Sequence, residues 1–318
     1  MFNRSVLVLV LIRASIGTLA VLGLLDVKLA ERPSTAYFLQ YSPVGCSANC
    51  AFCAQSRARG GGDRLGRVTW PLVDLEVIRS NWKRYFTRIC FQTVIKPNFV
   101  SEALEVISAI RSFEPDLPVS LAVTPISRSQ LEEARKLGVD SIGIGLDATT
   151  RELFEKHSKP HSWGVYWKFA EKAVEVYGRG CVYVHLIAGL GESLRDLVDA
   201  MRRVYYVGGR VALFNYTDSH GYSNVDLKYY RLAQIARFLL ENNLEPDLYI
   251  DYERRVVKRD IPVENIVEAF YTSGCPGCNR PFYNESPRGP LYNIPSRKVL
   301  EEYYERLRGE LESIGVIL

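Results

Sequence analysis

Three cysteines fall within eight residues, in the run GCSANCAFC: Cys46, Cys50 and Cys53. A C-x3-C-x2-C spacing puts three thiolates on one tight loop, and such thiolates hold iron–sulfur clusters. Three ligands for four irons leave one iron open to bind a substrate, as the open position of a catalytic zinc does. Cysteines at i, i+4 and i+7 could instead line a helix face as small buried hydrophobes. Pro43 and Gly45 on one side, and the Gly-rich loop over residues 57–67 on the other, argue against a helix there. A zinc site is the remaining alternative, and it wants a fourth ligand close by. A second thiol pair, Cys275 and Cys278, lies in SGCPGCNRPFYNESP. Pro276 and Gly277 form a turn that lets the two sulfurs converge on one metal; alone, the pair is also half of a zinc knuckle.

The elements around these thiols repeat. Short apolar, β-rich runs at residues 36–41, 84–92, 118–123, 140–146, 181–190 and 210–216 alternate with helical patterns at 71–82, 100–113, 127–137, 164–177, 193–206 and 228–242. Ser127 or Ser129 is the expected N-cap of the third helix. Six βα units predict a parallel sheet with right-handed crossovers, an open partial (β/α)6 barrel rather than the eight-unit closed form. The first cysteine loop directly follows the first strand, where loops at strand C-termini carry active sites. Residues 248–253 read as a further strand. Beyond them come a basic stretch, a short helix near 263–271, a Pro/Gly/Asn-rich loop and a charged helix over 296–314. The expected domains are an N-terminal helical segment (1–35), the barrel (36–250) and a C-terminal extension packed on it (251–318).

The 318 residues are 47% hydrophobic and 24% charged, an ordinary globular composition, and a net charge of +4 is no footprint of a nucleic-acid binder. Seven cysteines, an odd number in a long chain, predict a reduced, cytoplasmic compartment rather than a secreted disulfide scaffold. Residues 5–25 are strongly apolar, but Arg13 splits them into runs of seven and twelve, too short to span a membrane. A secretory h-region over 6–12 matches on pattern alone and fits badly with a thiolate cluster site. A buried leading helix is expected there.

C-x3-C-x-aromatic-C after the first strand of a partial α/β barrel resembles the radical S-adenosylmethionine (SAM) superfamily. The resemblance implies that Cys46, Cys50 and Cys53 bind a 4Fe–4S cluster whose open iron chelates S-adenosylmethionine. Phe52 would then pack near the adenine, and reduction would cleave the sulfonium to a 5′-deoxyadenosyl radical. Across residues 36–245 the strands are similar to biotin synthase. GIGLDATT implies that Asp147 holds the cofactor ribose, and VHLIAGLGES implies a close backbone approach at Gly189 and Gly191. Cys90 matches one ligand of that family's second cluster. The others are missing: Leu121, Ala122 and Val123 occupy the third strand, and Tyr183 stands near another ligand's place. Cys181 reads as a buried strand residue. With Cys90, the pair Cys275 and Cys278 would complete a three-cysteine auxiliary 4Fe–4S cluster, its fourth ligand open among Arg280, Ser286 and Ser296.

The C-P-x-C-N-R-P segment is similar to the archaeal two-protein lipoyl synthases, with the second subunit favoured. That implies sulfur insertion into an octanoyl-lysine of a lipoyl carrier protein (H-protein or lipoyl domain). It also implies a partner synthase subunit, a low-potential electron donor and no nucleic-acid or membrane partner. The alternatives are another radical sulfur-insertion or methylation enzyme, or a zinc-binding structural or adaptor protein. His157, His161, His185 and His220 show no metal-ligand spacing, and His185 reads as a packed core residue. Asn215, Tyr216 and Asp218 end the sixth strand, where they line the substrate channel or form a plain loop. Arg254, Arg255, Lys258 and Arg259 form a solvated basic face suited to an acidic carrier.

Overall fold

A computed structural model describes residues 9–60, 62–218 and 220–318. Six parallel strands form its centre: β2 (Thr35–Gln40), β6 (Arg88–Gln92), β7 (Val119–Val123), β8 (Val139–Asp147), β9 (Val182–Ala188) and β10 (Arg210–Asn215). Each stands beside the one before it in the chain, so the sheet is the expected open (β/α)6 barrel. Helices α3 (Phe99–Phe113), α4 (Arg128–Lys136), α6 (Trp163–Tyr177), α7 (Leu194–Tyr206) and α8 (Leu227–Glu241) follow successive strands and bury apolar residues such as Ile107, Leu131, Ala173, Leu197 and Ile235 in the core. Ser127 caps α4 and Ser193 caps α7, each in a reciprocal capping box. A short helix absent from the sequence pattern, α5 (Arg151–Lys156), follows β8.

The leading apolar segment divides where a single helix was expected. Residues 5–8 of that segment lie outside the described residues; Leu11–Ala14 are a strand, β1, antiparallel to β2 and to β5 (Leu72–Asp74), and among the described residues of the segment only Ile16–Leu22 are helical, as α1. Arg13, which breaks the apolar run, donates to the Trp70 carbonyl (2.9 Å) and lies over the Tyr41 ring. The expected helix over 71–82 shortens to α2 (Leu75–Ser80) because residues 72–74 pair with β1. The 57–67 loop feeds a small hairpin, β3 (Arg64–Leu65) and β4 (Val68–Thr69). Residues 248–253 do not extend the barrel: only Ile250–Asp251 (β11) are extended, and they pair with Val256–Val257 (β12) in a separate hairpin. Near 263–271 the helix is a 3-10 turn, Ile266–Phe270, and the charged helix is α9 (Arg297–Glu312). Among the described residues no helix is long and apolar enough to cross a membrane.

The C-terminal extension covers the barrel's open side. Ser273 accepts the Leu213 amide of β10 (2.8 Å), and Arg280 donates its amide to the Tyr37 hydroxyl of β2 (2.9 Å). The Arg280 guanidinium donates to the Ser273 carbonyl (2.6 Å) and stacks on Phe214. One segment thus satisfies the exposed edge of β10 and reaches across to β2.

Candidate active site

The cysteine loop after β2 is tied down by backbone bonds. The Cys46 amide donates to Gln55 (2.7 Å), Cys53 to Cys50 (3.1 Å) and Ala51 to His157 (3.0 Å). The Ile95 amide donates to the Cys46 sulfur (3.2 Å). Burial pushes the Cys50 thiol up to about 12 against the opposing pull of Lys159, and raises Cys53 against a backbone hydrogen bond from Gln55. Cys50 is also raised by Cys53 and Cys46, and Cys53 by Cys46. Such thiols are protonated when free and give up their protons to solvent when a metal binds. No three His, Cys, Asp or Glu side chains among the described residues converge as for a single metal ion. A 4Fe–4S cube asks for something else, one thiolate per iron, and an all-sulfur donor set on one loop fits it.

Beside the loop lies a buried ion pair. Lys159 donates to Asp147 at 2.6 Å, and the two side chains are 6% and 13% exposed. Burial opposes the Lys159 charge, but the Asp147 carboxylate more than offsets this and holds its pKa above the ordinary value. A register shift between Gly145 and Asp147 gives β8 a bulge, and Asp147 takes a left-handed φ of 66°. Bulges re-aim side chains, and such strain is held where the surroundings over-determine it. The Lys159 ammonium lies 5.7 Å from the Phe52 ring and 5.5 Å from that of Tyr166. Lys159 gave no signal in the sequence; it follows α5 in a loop, and only the fold brings it to Asp147.

Phe52, Cys46, Cys53, Asp147 and Lys159 line one end of a cavity of about 300 Å³ running through the barrel. Cys90, Cys275 and Cys278 line the same cavity from its other end. The second thiol turn is anchored near the N-terminal ends of β2 and β6: Arg88 donates to the Pro276 carbonyl (2.9 Å) and Ser34 to that of Gly277 (2.5 Å). Burial, then the neighbouring Cys278, pushes Cys275 up to about 12; Cys90 is raised by burial and by both partners. Cys181 departs from its expected place: it sits just before β9, half-buried, and lines a separate outer cleft.

His185 also lines the cavity instead of the helix-packed core; burial lowers it to about 4, so it is neutral near pH 7. Gly143 keeps that space open, since a Cβ there would lie 3.0 Å from His185 Nε2. Asn215 and Tyr216 line the cavity, whereas Asp218 caps its own turn, accepting from the His220 and Tyr222 amides. Gly189 and Gly191 have φ of 99° and 117°, and the place of a Gly189 Cβ lies 2.6 Å from Val225. These glycines shape the turn after β9, where Glu192 accepts the Gly189 and Leu190 amides (2.6 and 2.9 Å) and the Tyr229 hydroxyl. Of the fourth-ligand candidates, Arg280 lines the cavity, and its buried Nε has no hydrogen-bond partner.

The Radical SAM superfamily model matches residues 41–204, from the cysteine loop into α7 and over half of the chain. The chain belongs to the radical SAM superfamily. Membership implies a 4Fe–4S cluster and S-adenosylmethionine as cofactors, and a radical SAM enzyme. No curated protein matches the sequence. Solved structures with this radical SAM fold include HydG, a maturase of the FeFe-hydrogenase (13% identity, TM-score 0.52, covering 63% of this chain and 48% of that one). Methylornithine synthase PylB is similar at 15% identity and TM-score 0.51 (65% and 62%). The HydG of Carboxydothermus hydrogenoformans is similar at 16% and 0.50 (66% and 52%). At these identities the likeness is one of fold, and the chain spans roughly half to three-fifths of those chains. The matched family segment stops before Cys275 and Cys278.

Proposed function

We propose that this radical SAM enzyme is a lipoyl synthase component, inserting sulfur into an octanoyl chain borne on a lysine of a lipoyl carrier protein. The observation that carries this reading is one cavity with Cys46 and Cys53 at one end and Cys90, Cys275 and Cys278 at the other. When bound, the first cluster with S-adenosylmethionine would supply a 5′-deoxyadenosyl radical, and a second 4Fe–4S cluster would supply sulfur.

The chain's own residues do the rest. Leu39, Val94, Ala122, Ile187, Ala212 and Phe214 wall the space between the two thiol sets. An apolar wall suits an alkyl chain and keeps water from a reactive intermediate. Asp147, with one oxygen on Lys159, keeps the other for a ribose hydroxyl, and Phe52 offers its ring to the adenine. His185, neutral, adds no charge to the channel. The partners of this reading are the octanoylated carrier, a second synthase subunit and a low-potential electron donor. Two of the four cations proposed to meet the carrier already have carboxylate partners, Arg255 with Asp226 (3.2 Å) and Arg254 with Asp251 (4.0 Å). Lys258 and Arg259 are the stronger candidates for steering it.

The test is mass spectrometry of an octanoyl-lysyl peptide incubated with anaerobically reconstituted protein, S-adenosylmethionine and dithionite. Gain of sulfur by the peptide is expected, alone or with the partner subunit added. An unmodified peptide under both conditions, with S-adenosylmethionine cleaved, rules the substrate out.

A further inference from the structure

The Cys275–Cys278 turn is a wall with a cavity on each side. Tyr183, Gly274, Cys275 and Cys278 line the inner cavity and also an outer cleft of about 720 Å³. That cleft opens at the N-terminal ends of β9 and β10, the end of the barrel opposite the Cys46–Cys53 loop. Both turn cysteines are half-buried rather than sealed, and Cys181 adds a third thiol on the outer side. The cleft is electropositive. Its one lining carboxylate, Glu241, is held by Arg237 at 2.5 Å. Arg179 and Arg210 are exposed on its rim, and Arg179 donates to the Tyr205 carbonyl (3.4 Å) rather than to an acid.

We propose that this cleft is the loading port of the second thiol site, admitting a thiolate-ligated iron–sulfur unit, which is an anion. The inference rests on the two-cluster reading above. A cluster used as sulfur donor has to be replaced after turnover, and the inner end of the cavity is where substrate and cofactor would sit. The outer cleft reaches the same two sulfurs without crossing either. In each exchange a sulfur–iron bond forms to Cys275 or Cys278 while one carrier thiolate leaves. The proton of the protein thiol goes to the departing thiolate, and no electron changes hands. Arg179 and Arg210 draw the anionic unit in, as a cationic cleft raises the encounter rate of an oppositely charged ligand.

The experiment removes the first site so that iron uptake reports the second alone. Apoprotein carrying Cys46→Ala, Cys50→Ala and Cys53→Ala is mixed anaerobically with a 4Fe–4S cluster ligated by 2-mercaptoethanol thiolates. Iron per chain and visible absorbance are followed with time, with circular dichroism confirming the fold. Uptake of about four irons is expected. Adding Arg179→Glu and Arg210→Glu should slow it about tenfold at low salt, and the difference should shrink as salt is raised. Arg179→Lys with Arg210→Lys should restore the rate. A rate indifferent to these charges overturns the port and leaves the second cluster standing. Folded triple-alanine protein that takes up no iron removes the second cluster, and the port with it.

Discussion

The hydroxyl of Tyr37, inside the barrel on β2, lies 3.3 Å from the sulfur of Cys278, 241 residues further along the chain. The same hydroxyl accepts the Arg280 amide at 2.9 Å. Burial, reinforced by the neighbouring Cys278, holds the Tyr37 phenol well above its ordinary pKa, so it stays protonated. One side chain of the central sheet therefore holds the C-terminal extension where its two thiols face the cavity. Tyr37→Phe keeps the ring and strips both contacts, leaving a buried amide without its acceptor. The expected cost is about 1–3 kcal/mol in urea unfolding. Stability equal to that of the parent would show that the hydroxyl contributes nothing.

The Asp147–Lys159 pair is buried, and its two members are not equivalent to remove together or singly. Asp147→Ala leaves a buried ammonium uncompensated and should cost about 3–5 kcal/mol. Asp147→Ala combined with Lys159→Met removes both charges and should cost distinctly less than the sum of Asp147→Ala and Lys159→Met made singly. Chemical denaturation of the single and double variants decides this; additive losses would mean the two charges are not coupled in the folded protein.

Much of this architecture is written in the sequence. The six parallel strands, β2 and β6 to β10, are apolar runs within one large sheet, and the helices between them carry their own start signals, such as the Ser127 and Ser193 N-caps. The N-terminus misleads because Leu11–Ala14 has no local reason to be extended; it becomes a strand by pairing with β2 and with β5. The same long-range pairing removes residues 72–74 from the predicted helix. Both cysteine motifs were legible, since spacing is a local property. Lys159 and the stacked Arg280 were not read as parts of the cofactor end and the seam, because their roles exist only once β8, β10 and the extension are assembled.

Glu285, in that extension, gives the fold a pH signature. Burial raises its carboxyl from 4.5 to about 7, against the opposing pull of Arg280 and a hydrogen bond with Asn293. The folded state thus holds a proton that the unfolded chain gives up. The stability linked to this group is complete below pH 4.5 and is lost as pH rises towards 7. Glu285→Gln cancels that loss, so the variant should gain on the parent across this window, by on the order of 3 kcal/mol. Thermal unfolding at several pH values measures the difference; a constant offset would contradict it.

Gly189→Ala combines a φ of 99° with a Cβ site 2.6 Å from Val225. It should destabilise by about 1–3 kcal/mol from the backbone alone, with a further loss from the clash. Adding Val225→Ala should recover only the clash. Full recovery, read by denaturant unfolding, would mean that backbone strain is not the larger part.

The central claim is that an alkyl chain lies in the cavity between the two thiol sets, within reach of the radical formed at the Cys46–Cys53 end. The direct measurement uses a peptide with a perdeuterated octanoyl-lysine, anaerobically reconstituted protein, S-adenosylmethionine and dithionite. Mass spectrometry of the 5′-deoxyadenosine should find deuterium transferred from the chain. Abundant 5′-deoxyadenosine without deuterium, whether or not the partner subunit is present, would contradict it.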